Sequence, residues 1–292
     1  MIYEEFRGYK ISKLSLGTVQ FGLDYGVNNS SGKPSQKSVN SILDFVKNSG
    51  INSLDTANGY GDSESVLGNY GVNSFQIITK TSSENFNLET VKESLEKLKV
   101  NKLFGLLLHD TELLNNWSEK EKNTLKEMKK LTKFFGVSIY TSEEFHLAID
   151  NPDVDIIQIP FNIFDHRALK ENWFQKAKDK NKFIFIRSIY LQGLFLMEIN
   201  NSPVEEAKPF LKKLETFSKE WNTPKQNLAM SFVRTVSENS SILFGCETLE
   251  QAKENIEIFK NSINLTDGQL NILSDNFGTV SESIYNPSRW NR

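Results

Sequence analysis

Along most of this chain, apolar strand-like runs alternate with amphipathic stretches of helical length, and that rhythm limits the fold more than any single residue does. A helix between two strands carries the chain back to the edge where it started, so successive strands run parallel. The strand-like runs fall at 13–17, 51–55, 75–79, 103–108, 134–138, 154–159, 183–187 and 241–244. Helices are predicted over 36–49, 63–70, 88–99, 119–132, 142–149, 167–180, 205–221 with 224–236, and 248–259. Eight strands with eight crossovers predict an α/β fold, a (β/α)8 TIM barrel, and 292 residues is about the length such a barrel takes.

Local chemistry agrees with this rhythm. Val39, Ile42, Leu43 and Val46 fall at helical spacing, and Gly50 ends their helix. Thr223-Pro224 reads as an N-cap followed by proline at the first helical position. Residues 1–12 predict a hairpin turning around Arg7-Gly8-Tyr9, and Thr266-Asp267 opens a last helix running to about Ser274. The lysine-rich stretch 119–133 keeps Leu125, Met128 and Leu131 at helical spacing, which makes it a solvated helix face instead of a basic patch. The tail from Tyr285 to Trp290 lies outside the barrel count and is expected to pack over a barrel rim or form an interface.

No linker, low-complexity tract or charge block divides the chain, so residues 1–292 are expected to form one barrel domain with an N-terminal hairpin and a C-terminal helix and tail. The rival is a doubly wound sheet, which normally shows GxGxxG after its first strand. Here the first strand leaves through Gly17 to Gly22, GTVQFG, with the wrong glycine spacing and a long polar loop where a helix should start.

The formal net charge of −3 lacks the basic excess that a phosphate-backbone binder needs, so nucleic acid is not an expected partner. No run approaches the ~20 apolar residues of a membrane span, and the N-terminus does not read as a secretion signal. The single cysteine, Cys246, excludes an internal disulfide and a thiolate metal cluster. A reducing cytoplasm is the expected address. The three histidines, His109, His146 and His166, form no short ligand motif, so no metal is expected.

In a parallel barrel every C-terminal strand end opens on one face, where the active sites of this fold are found. Asp55 ends the second strand-like run, Lys80 the third and His109 the fourth, and Tyr60 sits in the loop just after Asp55. Taken singly, these are an ordinary loop cap, half an ion pair, a core histidine and a packing tyrosine. Joint placement at consecutive strand ends changes that reading to a proton-transfer site. A free phenol is a poor acid at neutral pH, a nearby ammonium favours its phenolate, and a buried lysine needs a carboxylate partner such as Asp55.

The residues Asp55-Thr56-Ala57-Asn58-Gly59-Tyr60-Gly61, Thr79-Lys80 and Leu108-His109-Asp110 resemble the signature of the aldo-keto reductase superfamily, DTAxxYG followed by a lysine and a histidine at the next strand ends. The resemblance continues through Gly17-Thr18, Gly136 to Ser138, Gln158, Arg187-Ser188, Leu191 to Leu194, and Gly245 with Gln251, Glu254 and Asn255. It implies a reduced nicotinamide across the barrel mouth and a carbonyl substrate. Tyr60 would then be the general acid, assisted by Lys80 and Asp55, with His109 orienting the carbonyl oxygen or assisting the proton. It also implies Ser138 and Gln158 at the carboxamide. Gly17 and Thr18 would border the cofactor, and Ser188, Leu191, Gly193, Gly245, Gln251 and Asn255 would line its pyrophosphate and adenosine side.

Two positions depart from the pattern of many members. Ile139 replaces an asparagine that bonds the carboxamide, and Arg187 replaces a tyrosine that stacks on the nicotinamide, a role a flat guanidinium can also fill. Between Ile242 and Ala252 there is no lysine or arginine for a 2′-phosphate, and Glu247 carries the opposite sign. NADP(H) is the family's usual cofactor and the expected one here, while this stretch weakens that lean and keeps NAD(H) as the alternative.

The leading expectation is reduction of an aldehyde or ketone. Residues 17–26 are similar to members of the family associated with bacterial surface sugars, which suggests a sugar or sugar derivative. Phe21, Tyr25, Phe161, Phe164 and Trp290 are candidate pocket walls. A non-catalytic cofactor-binding regulatory subunit and a redox-neutral sugar-modifying enzyme on the same scaffold are the alternatives. The sequence leaves the oligomeric state open.

Overall fold

The first two strands, β1 (Tyr3–Phe6) and β2 (Tyr9–Ser12), form an antiparallel hairpin with Phe6 opposite Tyr9. Arg7 and Gly8 turn it at φ 47° and 84°, the positive pair that matches the twist of a two-residue hairpin. The computed structural model describes residues 1–27, 29 and 32–290.

The barrel strands are β3 (Leu14–Gly17), β4 (Ser53–Asp55), β5 (Gln76–Thr81), β6 (Leu103–Leu108), β7 (Thr132–Ser138), β8 (Ile156–Pro160), β9 (Phe183–Arg187) and β10 (Ser240–Phe244). They pair in chain order, and β10 returns to β3 to close an eight-stranded barrel whose pairings are all parallel. Most strand residues are buried because one strand face fills the barrel and the other meets the helices.

Two apolar clusters follow from this geometry. The larger packs strands against helices, for example Val39, Ile42, Leu43 and Val46 of Gln36–Asn48, which Ser35 caps and Gly50 ends at φ 84°. The smaller joins Phe6 and Ile11 of the hairpin to Phe104, Phe134, Phe183 and Phe185. Phe104, Phe134 and Phe183 belong to the N-terminal halves of their strands and Phe185 to the middle of its own, so the hairpin stoppers the end of the barrel opposite the catalytic candidates. Arg7 holds it there through Asp155 at 2.5 Å.

Several boundaries differ from the sequence reading. The helix predicted over 119–132 stops at Met128, because Thr132 already pairs with Leu103 in the sheet. The helix predicted over 167–180 is two pieces, Arg167–Lys170 and Trp173–Asp179, broken where Asn172 takes φ 57°. Beyond the break, Trp173 stacks on Phe145 at 4.4 Å. Pro224 is the cap residue, and the helix runs Lys225–Val236.

The last long helix is Asp267–Phe277, opened by a capping box at Thr266 and Gln269. The tail then folds back, Trp290 donating to the Ile284 carbonyl at 3.0 Å and Tyr285 lying 4.7 Å under the Arg167 guanidinium. No helix among the described residues is long and apolar enough to cross a membrane.

Candidate active site

Asp55, the last residue of β4, and Lys80, near the end of the neighbouring β5, meet at the barrel mouth. Lys80 Nζ lies 2.7 Å from Asp55 Oδ2 and 2.9 Å from the Thr56 carbonyl, and the Lys80 side chain is 0% exposed. The second carboxylate oxygen accepts from Gln158 Nε2 at 2.7 Å. Burial by itself disfavours the ammonium, but the Asp55 charge and the Tyr60 hydroxyl outweigh it, and the Lys80 pKa rises. Lys80 therefore stays a cation in a dry site.

Tyr60 reaches this cation from the loop after β4. The Lys80 ammonium lies 5.0 Å from the centre of the Tyr60 ring, and the ring meets His109 edge to face at 6.0 Å. A backbone contact that the sequence reading missed aims this loop. Gly22 packs so tightly on the Tyr60 turn that a Cβ there would fall 1.8 Å from the Tyr60 carbonyl and 2.6 Å from Ser63 N. The fit is reciprocal, since a Cβ on Gly61, at φ 57°, would fall 2.4 Å from the Gly22 carbonyl.

Hydroxyls lock the same corner. Ser63 Oγ bonds the Thr18 carbonyl at 2.9 Å and Thr18 Oγ1 at 3.0 Å, and Thr18 Oγ1 donates to the Asp55 carbonyl at 3.0 Å. The only sequence trace of this arrangement is the pair Gly22 and Gly61, which lie far apart along the chain.

His109 follows β6 and opens onto the mouth, exposed on one side and crowded by protein on the other. Loss of solvent on the crowded side, then the positive charges of Lys80 and Arg187, lower its pKa. The imidazole is accordingly neutral at pH 7 and offers one N–H donor. The other two histidines lie elsewhere, His146 against Glu171 and His166 bonded to the Ile163 carbonyl. Among the described residues no group of three or more His, Cys, Asp or Glu side chains is arranged to hold a metal ion.

The residues expected to border a cofactor lie on the rim from β7 round to β3. Ser138 ends β7 and is buried, and Gln158 is committed through Nε2 to Asp55, a tie not evident from the sequence. Arg187 ends β9 and lies 4.1 Å over the Tyr140 ring, with Nη2 donating to the Ile139 carbonyl at 2.9 Å. The loop after β9 has Ser188, Leu191, Gln192 and Gly193 at positive φ. Within it Leu191 N–H donates to Ser188 and Gly193 N–H to Tyr190, while the Leu191 side chain is fully buried.

Gly17 and Thr18 follow β3, where Thr18 serves Asp55 as described. Gln251 and Asn255 lie on the helix Leu249–Asn261, Gln251 Oε1 accepting from Glu247 N at 2.7 Å and Asn255 Nδ2 donating to the Gln251 carbonyl at 2.8 Å. Gly245 is bare backbone at the rim, where a Cβ would fall 2.6 Å from the Gln20 amide, whose Oε1 is buried without a partner. An amide oxygen buried without a partner beside an uncovered Cα, next to a helix N-terminus at Thr248, suits a polar, phosphate-bearing ligand such as a nicotinamide dinucleotide.

Three proposed pocket walls are core residues instead. Phe21, Phe161 and Phe164 are at most 1% exposed. Phe161 packs on Phe174 and Phe232, and Phe164 on Phe195 and Phe277. Apolar burial claims such rings unless a cavity stands beside them, and sequence cannot show the cavity.

The closed parallel barrel and the acid, lysine, phenol and imidazole gathered at its C-terminal mouth define a (β/α)8 protein with an enzyme-like strand-end site. The aldo/keto reductase family profile matches residues 13–275, and the chain belongs to that family. Oxidoreductase chemistry is what this membership supports. No curated protein matches the chain.

Solved structures share its fold. One, named as an aldo-keto reductase from Pseudomonas aeruginosa, is 20% identical with a TM-score of 0.63, covering 89% of this chain and 95% of its own. Another, a thermostable aldo-keto reductase in complex with the inhibitor epalrestat, is 17% identical with a TM-score of 0.70, covering 94% of this chain and 100% of its own.

Proposed function

We propose that this chain, acting as one domain, reduces an aldehyde or ketone to an alcohol with NADP(H) or NAD(H), and that Tyr60 is the general acid. The observation that carries this reading is the buried Lys80 ammonium held between Asp55 and Tyr60. When bound, the reduced nicotinamide supplies the hydride.

As the carbonyl carbon is reduced, its oxygen gains negative charge and takes the Tyr60 proton. Lys80 stabilises the phenolate left behind, and Asp55, pinned by Gln158, keeps Lys80 in place and charged. His109, neutral and open to the mouth, donates a hydrogen bond that orients the carbonyl oxygen. The Tyr60 proton is then replaced from solvent at the mouth. A sugar or sugar derivative is the proposed substrate class and the cytoplasm the proposed location.

Following absorbance at the nicotinamide band with a panel of aldehydes and sugars tests the reading. Tyr60→Phe should keep cofactor binding and lose at least ~10²-fold in turnover. Equal turnover by this variant would remove Tyr60 from the mechanism. Tight cofactor binding with no carbonyl reduced by the wild type would favour the regulatory alternative.

A further inference from the structure

The mouth holds a second cation that no carboxylate among the described residues pairs with. Arg187 is fixed in place by the Tyr140 ring at 4.1 Å, by the Ile139 carbonyl at 2.9 Å and by Ser188 Oγ at 3.4 Å, none of which carries charge. Among the described residues no carboxylate pairs with it, as none does with Arg234 away from the mouth, whereas Arg7, Arg167 and Arg289 each have one. A guanidinium has five N–H donors, and these contacts leave several of them open.

The acids nearby are already engaged. Asp55 is bonded to Lys80 and Gln158, and Asp110 accepts from the backbone N–H of Ser83 at 3.0 Å and of Glu112 at 3.2 Å. Arg187 ends β9 on the same C-terminal face of the barrel that His109 joins after β6, and its charge, after burial and the Lys80 charge, lowers the His109 pKa.

From this placement we propose that the substrate carries an anionic group, a carboxylate or a phosphate, and that Arg187 binds it while the carbonyl lies between Tyr60 and His109. The inference rests on carbonyl reduction at this same site and narrows its substrate class. A planar fork matches the oxygens of a carboxylate or phosphate two at a time. Because the Tyr140 ring already orders the side chain, binding costs little further freedom. Acidic sugars and sugar phosphates combine such a group with a masked or free carbonyl.

Two matched pairs test the proposal and separate the two anions. One is succinic semialdehyde against its methyl ester, the other glyceraldehyde 3-phosphate against glyceraldehyde. Wild-type kcat/KM should favour the anionic member of at least one pair by ~20-fold or more, the scale of a charge-assisted hydrogen bond. Arg187→Gln should bring that ratio close to one, and Arg187→Lys should restore part of it.

A wild-type ratio near one in both pairs, or a ratio unchanged in Arg187→Gln, overturns the proposal. So does an Arg187→Gln variant whose only defect is weaker cofactor binding in a tryptophan-fluorescence titration, which would assign the guanidinium to the cofactor. Binding of succinate against dimethyl succinate, read from the NMR shifts of the His109 ring protons, makes the same comparison without turnover. If no aldehyde is reduced yet succinate alone binds and Arg187→Gln abolishes it, the reduction reading fails and the anion site stands. If neither succinate, against its ester, nor inorganic phosphate binds in a way that Arg187→Gln abolishes, the anion site fails as well.

Discussion

Lys80 Nζ and Asp55 Oδ2 stand 2.7 Å apart with side chains 0% and 6% exposed, so each charge is the other's main replacement for water. Such a pair adds little net stability over apolar residues, yet removing one member strands the other. Lys80→Met should therefore cost ~3–5 kcal/mol, and Asp55→Asn with Lys80→Met should cost clearly less than the sum of the two single changes. Denaturant titration of the three variants checks this.

The same pair sets an alkaline limit. Because the folded pKa of Lys80 is raised above its unfolded value, the stabilisation is fully present below the unfolded value, about 10.4, and is lost as pH rises through the folded one. Stability attributable to Lys80 should therefore be flat across neutral pH and fall only in the alkaline range. Denaturation midpoints of wild type and Lys80→Met, compared from neutral pH upward, should converge only there.

His109 behaves in the opposite sense. Its folded pKa lies below the unfolded value of about 6.5, so the neutral ring contributes stability above 6.5 that is lost as pH falls through the folded value. An NMR titration should place its midpoint below 6.5. Arg187→Gln should move that midpoint upward by removing a positive neighbour, and no movement would show that the two groups are uncoupled.

Gly22 tests whether backbone contact aims Tyr60. Gly22→Ala puts a methyl within 1.8 Å of the Tyr60 carbonyl, so the turn must shift. Overpacking of this kind costs ~1–3 kcal/mol. Turnover should fall by ~10-fold or more, within the ~10²-fold that a misplacement of ~1 Å can cost, with a smaller change in KM. Added to Tyr60→Phe, the same change should lower turnover little further, which a purely global defect would not reproduce.

Cofactor choice follows from the turn before Leu249–Asn261. Glu247 and Thr248 occupy it, and a helix N-terminus contributes only ~0.3–1 kcal/mol to an exposed anion. NADPH should be preferred over NADH by less than ~30-fold in Kd, equivalent to about 2 kcal/mol. Glu247→Arg should strengthen NADPH selectively, as read by quenching of tryptophan fluorescence. A preference beyond ~100-fold in the wild type would place the phosphate clamp elsewhere.

The sequence by itself determined the barrel, because alternating periods of burial admit few other folds. It also marked Asp55, Tyr60, Lys80 and His109, because strand ends of a parallel barrel share one face. Helix limits at Met128 and Asn172 were not legible, since sheet pairing and the packing of Trp173 overrode local propensity.

Only the tertiary structure decided that Gln158 holds Asp55, that Gly22 supports the Tyr60 turn and that Phe21, Phe161 and Phe164 belong to the core. It likewise set Arg187 over the Tyr140 ring, with no carboxylate among the described residues paired to it. These are contacts between residues distant along the chain, and their energies depend on distance, orientation and exclusion of water, none of which a linear pattern of residue types contains.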